Sequence, residues 1–301
     1  VEPCLIISDT PQALRSLTSA ELLQLARSAG PSSERPVAAD DPCLVLFTSG
    51  STGSPRGVTL SHGNLCSQQA AFASLWPEIG PGDRLASYLP WHHSFGALAE
   101  RLWALTRGAT VTLVPGGGRD RERFLATVRT VQPTVFMSVP KLHAQLVEAQ
   151  AVPHGLRWAF NAGAAIPDQV AAGYAARGVP LYEGWGLTET SPSATITPPD
   201  RPRRAGVVGE PIAGVEVGVA ADGRILVRGP NVMLGYWRDA PATARCLRHE
   251  DGQRLIDTGD LGAWTPDGLR LIGRADQQLK LPNGEKVAAA VIEAELQVLL
   301  G

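Results

Sequence analysis

Short apolar runs alternate with longer amphipathic segments over the first part of the chain. "CLIIS" (4–8), "CLVLF" (43–47), "RLASYL" (84–89), "TVTLV" (110–114), "TVFMSV" (134–139) and "LRWAF" (156–160) read as buried parallel strands. Between them, helices are expected near 19–29, 61–75, 96–107, 120–130, 141–150 and 167–177, with Ser19, Ser61 and Asp168 among the start signals. Strand and helix in alternation predict an α/β fold, a doubly wound sheet with helices on both faces.

The rhythm changes after about residue 205, where "VEVGVA", "RILVRG", "RLIDTG" and "LRLIGR" are separated by Gly, Pro and Asp. These predict a small β-rich subdomain over 206–273, following an α/β part over 1–205. From 274 to 301 a third unit begins: Asn283-Gly284 is a hairpin signal and "AAVIEAELQVLL" opens a helix. There is no internal repeat. The charge clusters "PGGGRDRER" (115–123) and "PPDRPRR" (198–204) are expected to be solvated loops.

At 301 residues and 44% hydrophobic, the chain can bury a full core. Its 27 basic and 29 acidic residues leave a formal charge of -2, which gives no general attraction to nucleic acid and at most peripheral contact with a membrane. No apolar stretch is long enough to span a bilayer, and no signal peptide opens the sequence. Cys4, Cys43, Cys66 and Cys246 form no CxxC pair, which argues against a zinc site and a disulfide framework and points to the cytoplasm.

The densest chemistry lies in "LFTSGSTGSPRGVTLSHGNL" (46–65), where Thr48, Ser49, Ser51 and Thr52 are packed around Gly50 and Gly53 and one cation, Arg56, follows. Glycines let backbone N–H groups approach a polyanion, and hydroxyls add donors without bulk. Neither Gly50 nor Gly53 begins a GxxxxGK[ST] motif, so a P-loop is disfavoured. Taken alone, the stretch fits a phosphate cradle or a flexible Ser/Gly surface loop.

"TSGSTGSPRGV" resembles the signature of the adenylate-forming (AMP-binding) superfamily, and "YEGWGLTETSP" (182–192), "DTGDLG" (257–262) and "GRADQQLKLPNGEKV" (273–287) match its pattern in the same order. "LPWHHSFGALAERLWAL" and the "LPNGEKV" ending look most like long-chain acyl-CoA synthetases. The resemblance implies an AMP-forming acid-thiol ligase: a carboxylic, fatty acid is joined to ATP as an acyl adenylate, then passed to coenzyme A. Alternatives are transfer to a carrier protein or reductase domain, or a non-catalytic nucleotide-binding fragment.

By the same resemblance, Thr48, Ser49, Gly50, Ser51, Thr52 and Gly53 cradle the β- and γ-phosphates, with Arg56 where the family usually has lysine. Thr188 would bond the α-phosphate and Glu189 would hold Mg²⁺. Glu183, Gly184, Trp185 and Gly186 would contact the nucleotide, with Trp185 stacked on adenine, while Gly163, Ala164 and Ala165 run along the base. Asp260 would accept the ribose hydroxyls, Arg274 would reach the ribose or α-phosphate, and Asp276 would be the hinge of a lid. His93 would gate the acyl tunnel. Ser94, Phe95 and Gly96 supply no anion for an ammonium group, which disfavours an amino acid substrate. The family's lid lysine and long N-terminal region are not among these residues, so the chain is expected to be the central part of such an enzyme, impaired on its own.

Overall fold

The structure is a computed structural model that describes residues 6–7, 16–17, 24, 36–48, 55–280 and 286–288. Outside them lie Ser49 to Gly53 of the expected phosphate loop, the helix near 19–29 apart from residue 24, the Asn283-Gly284 turn and the last expected helix. Val1–Ala38 and Ala39–Gly301 are two compact units. In the first, Ile6–Ile7 (β1) pairs in parallel with Ser16–Leu17 (β2).

The second unit opens with an antiparallel hairpin, Pro42–Thr48 (β3) against Arg56–Ser61 (β4). The segment 43–47, expected as a buried parallel strand, is instead a half-exposed strand of this hairpin, because the chain reverses between Thr48 and Arg56 and those two residues pair across it. Ser61 then starts helix α1 (His62–Leu75) with a capping box: its Oγ accepts from Asn64 N at 3.1 Å and Asn64 Oδ1 accepts from Ser61 N at 2.8 Å. Asn64 Nδ2 also donates to the carbonyls of Pro230 and Val232, which ties the helix start to a distant loop.

Arg84–Ser87 (β5) pairs in parallel with Thr110–Leu113 (β6). β6 was expected to be buried, but it pairs only with β5 in a two-stranded sheet and is partly exposed. The helix expected over 96–107 is a π-helix over Phe95–Leu102 followed by one α-helical turn, Trp103–Thr106 (α2). Helices α3 (Arg121–Val131), α4 (Pro140–Glu148) and α5 (Asp168–Ala175) alternate with Val135–Ser138 (β7), Trp158–Asn161 (β8) and Leu181–Trp185 (β9). These three strands are parallel and fully buried, as sheets covered on both faces require. Thr195–Ile196 (β10) and Glu210–Pro211 (β11) extend the sheet antiparallel beyond β9.

The β-rich region is a separate antiparallel sheet in which Glu216–Val219 (β12), Arg224–Arg228 (β13), Leu247–Glu250 (β15), Gln253–Thr265 (β16) and Gly268–Arg274 (β17) take part. Gly235–Tyr236 (β14) leaves it to pair with β4, and helix α6 spans Ala240–Cys246. Gln278–Lys280 (β18) and Lys286–Ala288 (β19) pair antiparallel on either side of Asn283-Gly284. The fold is therefore mixed α/β with several sheets. No helix among the described residues is long and apolar enough to cross a membrane.

Candidate active site

A cavity of about 850 Å³ opens where the end of β9, the β3–β4 hairpin and the β16–β17 hairpin meet. Thr48 and Arg56, the two ends of the glycine loop, line it. So do Gly163, Ala164, Ala165 and the β9 stretch from Glu183 to Gly186. Thr188, Glu189, Asp260, Arg274 and Asp276, also expected at the site, line it as well. Residues more than two hundred positions apart are gathered here: the parallel strands β8 and β9 deliver their carboxyl ends to the cavity, and the antiparallel β3–β4 and β16–β17 hairpins bring the rest.

Asp260 is the electrostatic centre of one wall. Its Oδ2 accepts from Trp185 Nε1 at 2.8 Å and its Oδ1 accepts from Arg274 Nη1 at 2.7 Å. Burial would lower the Arg274 pKa, but Asp260 and then Asp276 more than reverse this and hold it above its ordinary value. Trp185, expected on the adenine, is thus oriented by the carboxylate expected on the ribose. A carboxylate offers about four lone-pair sites, so Asp260 keeps acceptor capacity beyond these two bonds.

Also in the lining, Tyr236 donates its hydroxyl to Glu189 Oε1 at 2.7 Å, and the Arg56 guanidinium lies 5.5 Å from the Tyr236 ring centroid. Burial, reinforced by the Glu189 charge, pushes the Tyr236 pKa far up, so the phenol stays a proton donor. Ser94 Oγ and Thr188 Oγ1 share a hydrogen bond of 3.1 Å, which links the start of the π-helix to the loop after β9. That loop is pinned: Asn231 Nδ2 donates to the carbonyls of Thr190 and Ser193, and Ser191 Oγ donates to Asn231 O. Gly186 is required at its start, since a Cβ there would lie 2.0 Å from the Pro192 carbonyl oxygen.

Glu183 lies in the wall as a buried carboxylate already engaged by Arg203, Asn161 Nδ2 and the Ile166 backbone N–H. Burial pushes its pKa up, and Arg203 opposes part of that rise. Arg203 corrects the expectation that 198–204 is wholly solvated: its guanidinium is drawn in by the buried charge of Glu183 and also donates to Ile166 O. His93 is exposed and does not line the cavity; its neighbours Ser94 and Phe95 do. Tyr236 and Arg203 are the residues that sequence reasoning missed. The "GY" of β14 carries no local signal of its own, and a lone arginine among prolines reads as surface.

The mixed α/β fold is that of the adenylate-forming enzymes. The family model for the AMP-binding enzyme matches residues 2–237, and the chain belongs to that family. It is 33% identical over 270 residues to indoleacetate–CoA ligase of Aromatoleum aromaticum, covering 84% of this chain and 51% of that protein. It is 29% identical over 320 residues to human long-chain-fatty-acid–CoA ligase 1, covering 86% of this chain and 45% of that one. The crystal structure of ATP-bound MatB from Rhodopseudomonas palustris superimposes with a TM-score of 0.82 at 29% identity, covering 94% of this chain and 58% of the other. The chain spans about half the length of the curated relatives it matches.

Proposed function

We propose that the cavity binds ATP and an apolar carboxylic acid and joins them as an acyl adenylate, for transfer to the thiol of coenzyme A. The observation that carries this reading is the arrangement around Asp260, which holds Trp185 and Arg274 in a cavity that Arg56, Thr188 and Glu189 also line. The names of the relatives, CoA ligases of aryl and fatty acids, support the reaction class.

Both reactants are anionic, and two unit charges about 4 Å apart repel by ~4 kcal/mol at an effective dielectric near 20. Arg56 and Arg274 supply the opposing charge, and Thr188 donates a hydroxyl toward the reacting phosphate. Asp260 takes the ribose hydroxyls and holds Trp185 in place for the base. Ser49, Gly50, Ser51, Thr52 and Gly53, outside the described residues, take by family resemblance the role of donors to the outer phosphates, and Asp276 that of the hinge of the segment that follows.

Glu189 fits a Mg²⁺ site: one oxygen is held by Tyr236, and Oε2 takes no hydrogen bond from a described residue. A single carboxylate shared with substrate phosphates is the usual way this ion is bound, and it would neutralise phosphate charge there. The test is acid-dependent exchange of labelled pyrophosphate into ATP, run beside calorimetric ATP binding. Both are expected. A folded chain that binds no ATP would overturn the reading, as would preferential exchange with an α-amino acid.

A further inference from the structure

The cavity is lined by two chemically different sets of residues. Beside the charged Arg56, Glu189 and Asp260 it has an apolar set, Phe95, Phe160, Ala162 and the backbone of Gly184. Phe160 is only 2% exposed, and its ring rests directly on Gly184, where a Cβ would fall 2.5 Å from the ring's Cζ. Phe95 meets that ring at a steep angle with centroids 5.9 Å apart, and Trp76 meets it edge-on at 5.9 Å. Behind it Trp76 stacks on Trp158 at 4.4 Å, and Trp103 packs against both at 6.2 and 5.7 Å. All three indoles are at most 3% exposed.

An interior packed to crystal-like density has no room for a chain of methylenes. A tail that enters past Phe95 therefore meets the Phe160 ring, and that ring cannot swing away. Gly184 lies beneath it and Trp76 behind it, and the indoles that block its retreat are themselves wedged in the core. Two aromatic rings at a tilt present faces and edges to a third ring, at the centroid spacings that favour edge-to-face contact.

We infer that Phe160, seated on Gly184 and backed by Trp76, is the floor of the acid-binding part and restricts the site to compact acids, an aryl carboxylic acid fitting best. The inference rests on the reading of this cavity as an ATP and acid site. Phe160 determines specificity by shape alone and takes no part in the chemistry.

The test uses AMP and two 5′-O-(N-acylsulfamoyl)adenosines, one with a phenylacetyl and one with a dodecanoyl tail, titrated into the 301-residue chain. AMP should bind, and the phenylacetyl probe should bind at least ~100-fold tighter than the dodecanoyl probe, since one misplaced methylene alone is worth about 10–200-fold. Phe160→Ala should shrink that ratio by about tenfold or more. Phe95→Ala, at the half-buried rim, should shrink it less and keeps the question answerable if Phe160→Ala does not fold. Equal or tighter binding of the dodecanoyl probe to the unmodified chain, with AMP binding intact, overturns the inference and leaves the nucleotide reading standing. An unchanged ratio in a folded Phe160→Ala, or in Phe95→Ala when that variant alone folds, overturns the role of the aromatic floor. Failure of AMP to bind the folded chain overturns the nucleotide reading and this inference with it.

Discussion

Glu100, in the π-helix, and Glu183, on β9, are both almost wholly buried, at 1% and 4% exposure, yet they sit in opposite electrostatic surroundings. Glu100 has the Ser87 hydroxyl at 2.5 Å and no arginine or lysine in an ion pair with it among the described residues; burial pushes its pKa from 4.5 up to about 8. Glu183 has Arg203 against it, which opposes part of the rise that burial causes. The difference shows what a cation does inside a protein. Without one, a buried carboxyl keeps its proton across the neutral range; with one, it can remain charged and fix a neighbouring loop. The Glu100 carboxyl therefore stays neutral, while the site wall carries organised charge.

Breaking the Glu183 pair should have the largest effect. Arg203→Ala leaves a buried carboxylate without its cation, a loss on the order of 3–5 kcal/mol. The sign follows from the direction of the shift: the variant's folded pKa rises further above the unfolded value, so the penalty is small near pH 4.5 and grows as pH rises. Urea unfolding at pH 4.5 and pH 8 reads it. An equal cost at both would show that charge is not the reason, and Glu183→Gln in the same background should recover part of the loss at pH 8.

Glu100 sharpens the contrast through pH. Its folded pKa lies above its ordinary value, so its contribution is fully present below 4.5 and is lost as pH rises toward about 8. The loss should be on the order of 2–4 kcal/mol across that window. Glu100→Gln should remove this component of the slope, seen as a flatter profile of unfolding free energy against pH. A parallel profile in the variant would mean that Glu100 does not titrate in this range.

Next in size is the wall that Asp260 organises. Trp185→Ala and Asp260→Ala should each weaken AMP binding by about 1–3 kcal/mol. Because the indole donates to the carboxylate, the double variant should fall short of the sum by ~1 kcal/mol. Calorimetry on all four proteins completes the cycle, and strict additivity would mean the hydrogen bond does not couple the two residues in binding.

The smallest change is Tyr236→Phe, which removes one hydroxyl and keeps the ring near Arg56. Thermal stability should shift by roughly 1 kcal/mol or less. Mn²⁺ affinity in the presence of ATP, followed by electron paramagnetic resonance, should fall several-fold because Glu189 loses the bond that orients it. Unchanged Mn²⁺ affinity would remove Tyr236 from the site.

Much of this was legible along the chain because local rules apply where structure is local. The apolar runs at 134–139 and 156–160 became buried parallel strands, and Ser61 became a capping residue, because burial pattern and cap chemistry are written within a few neighbouring residues. The order of the motifs likewise placed Thr48, Trp185, Thr188, Glu189, Asp260 and Arg274 around one cavity.

The strand at 43–47 looked like its buried neighbours because a composition of Leu, Val and Phe does not say whether the next strand returns beside it; the pairing with 56–61 settled that. Arg203 looked like surface because its partner is twenty residues earlier in the chain and on another strand. Tyr236 and Phe160 show the same limit more sharply. The first reaches Glu189 across 47 positions, and the second owes its setting to Gly184 and Trp76, which come from other elements of the fold. The sequence by itself therefore determined the family and which of its residues were expected at the site. Only the tertiary structure decided which charges are paired, which ring closes the cavity and which donors are already engaged, since these depend on distances between segments that no local pattern encodes.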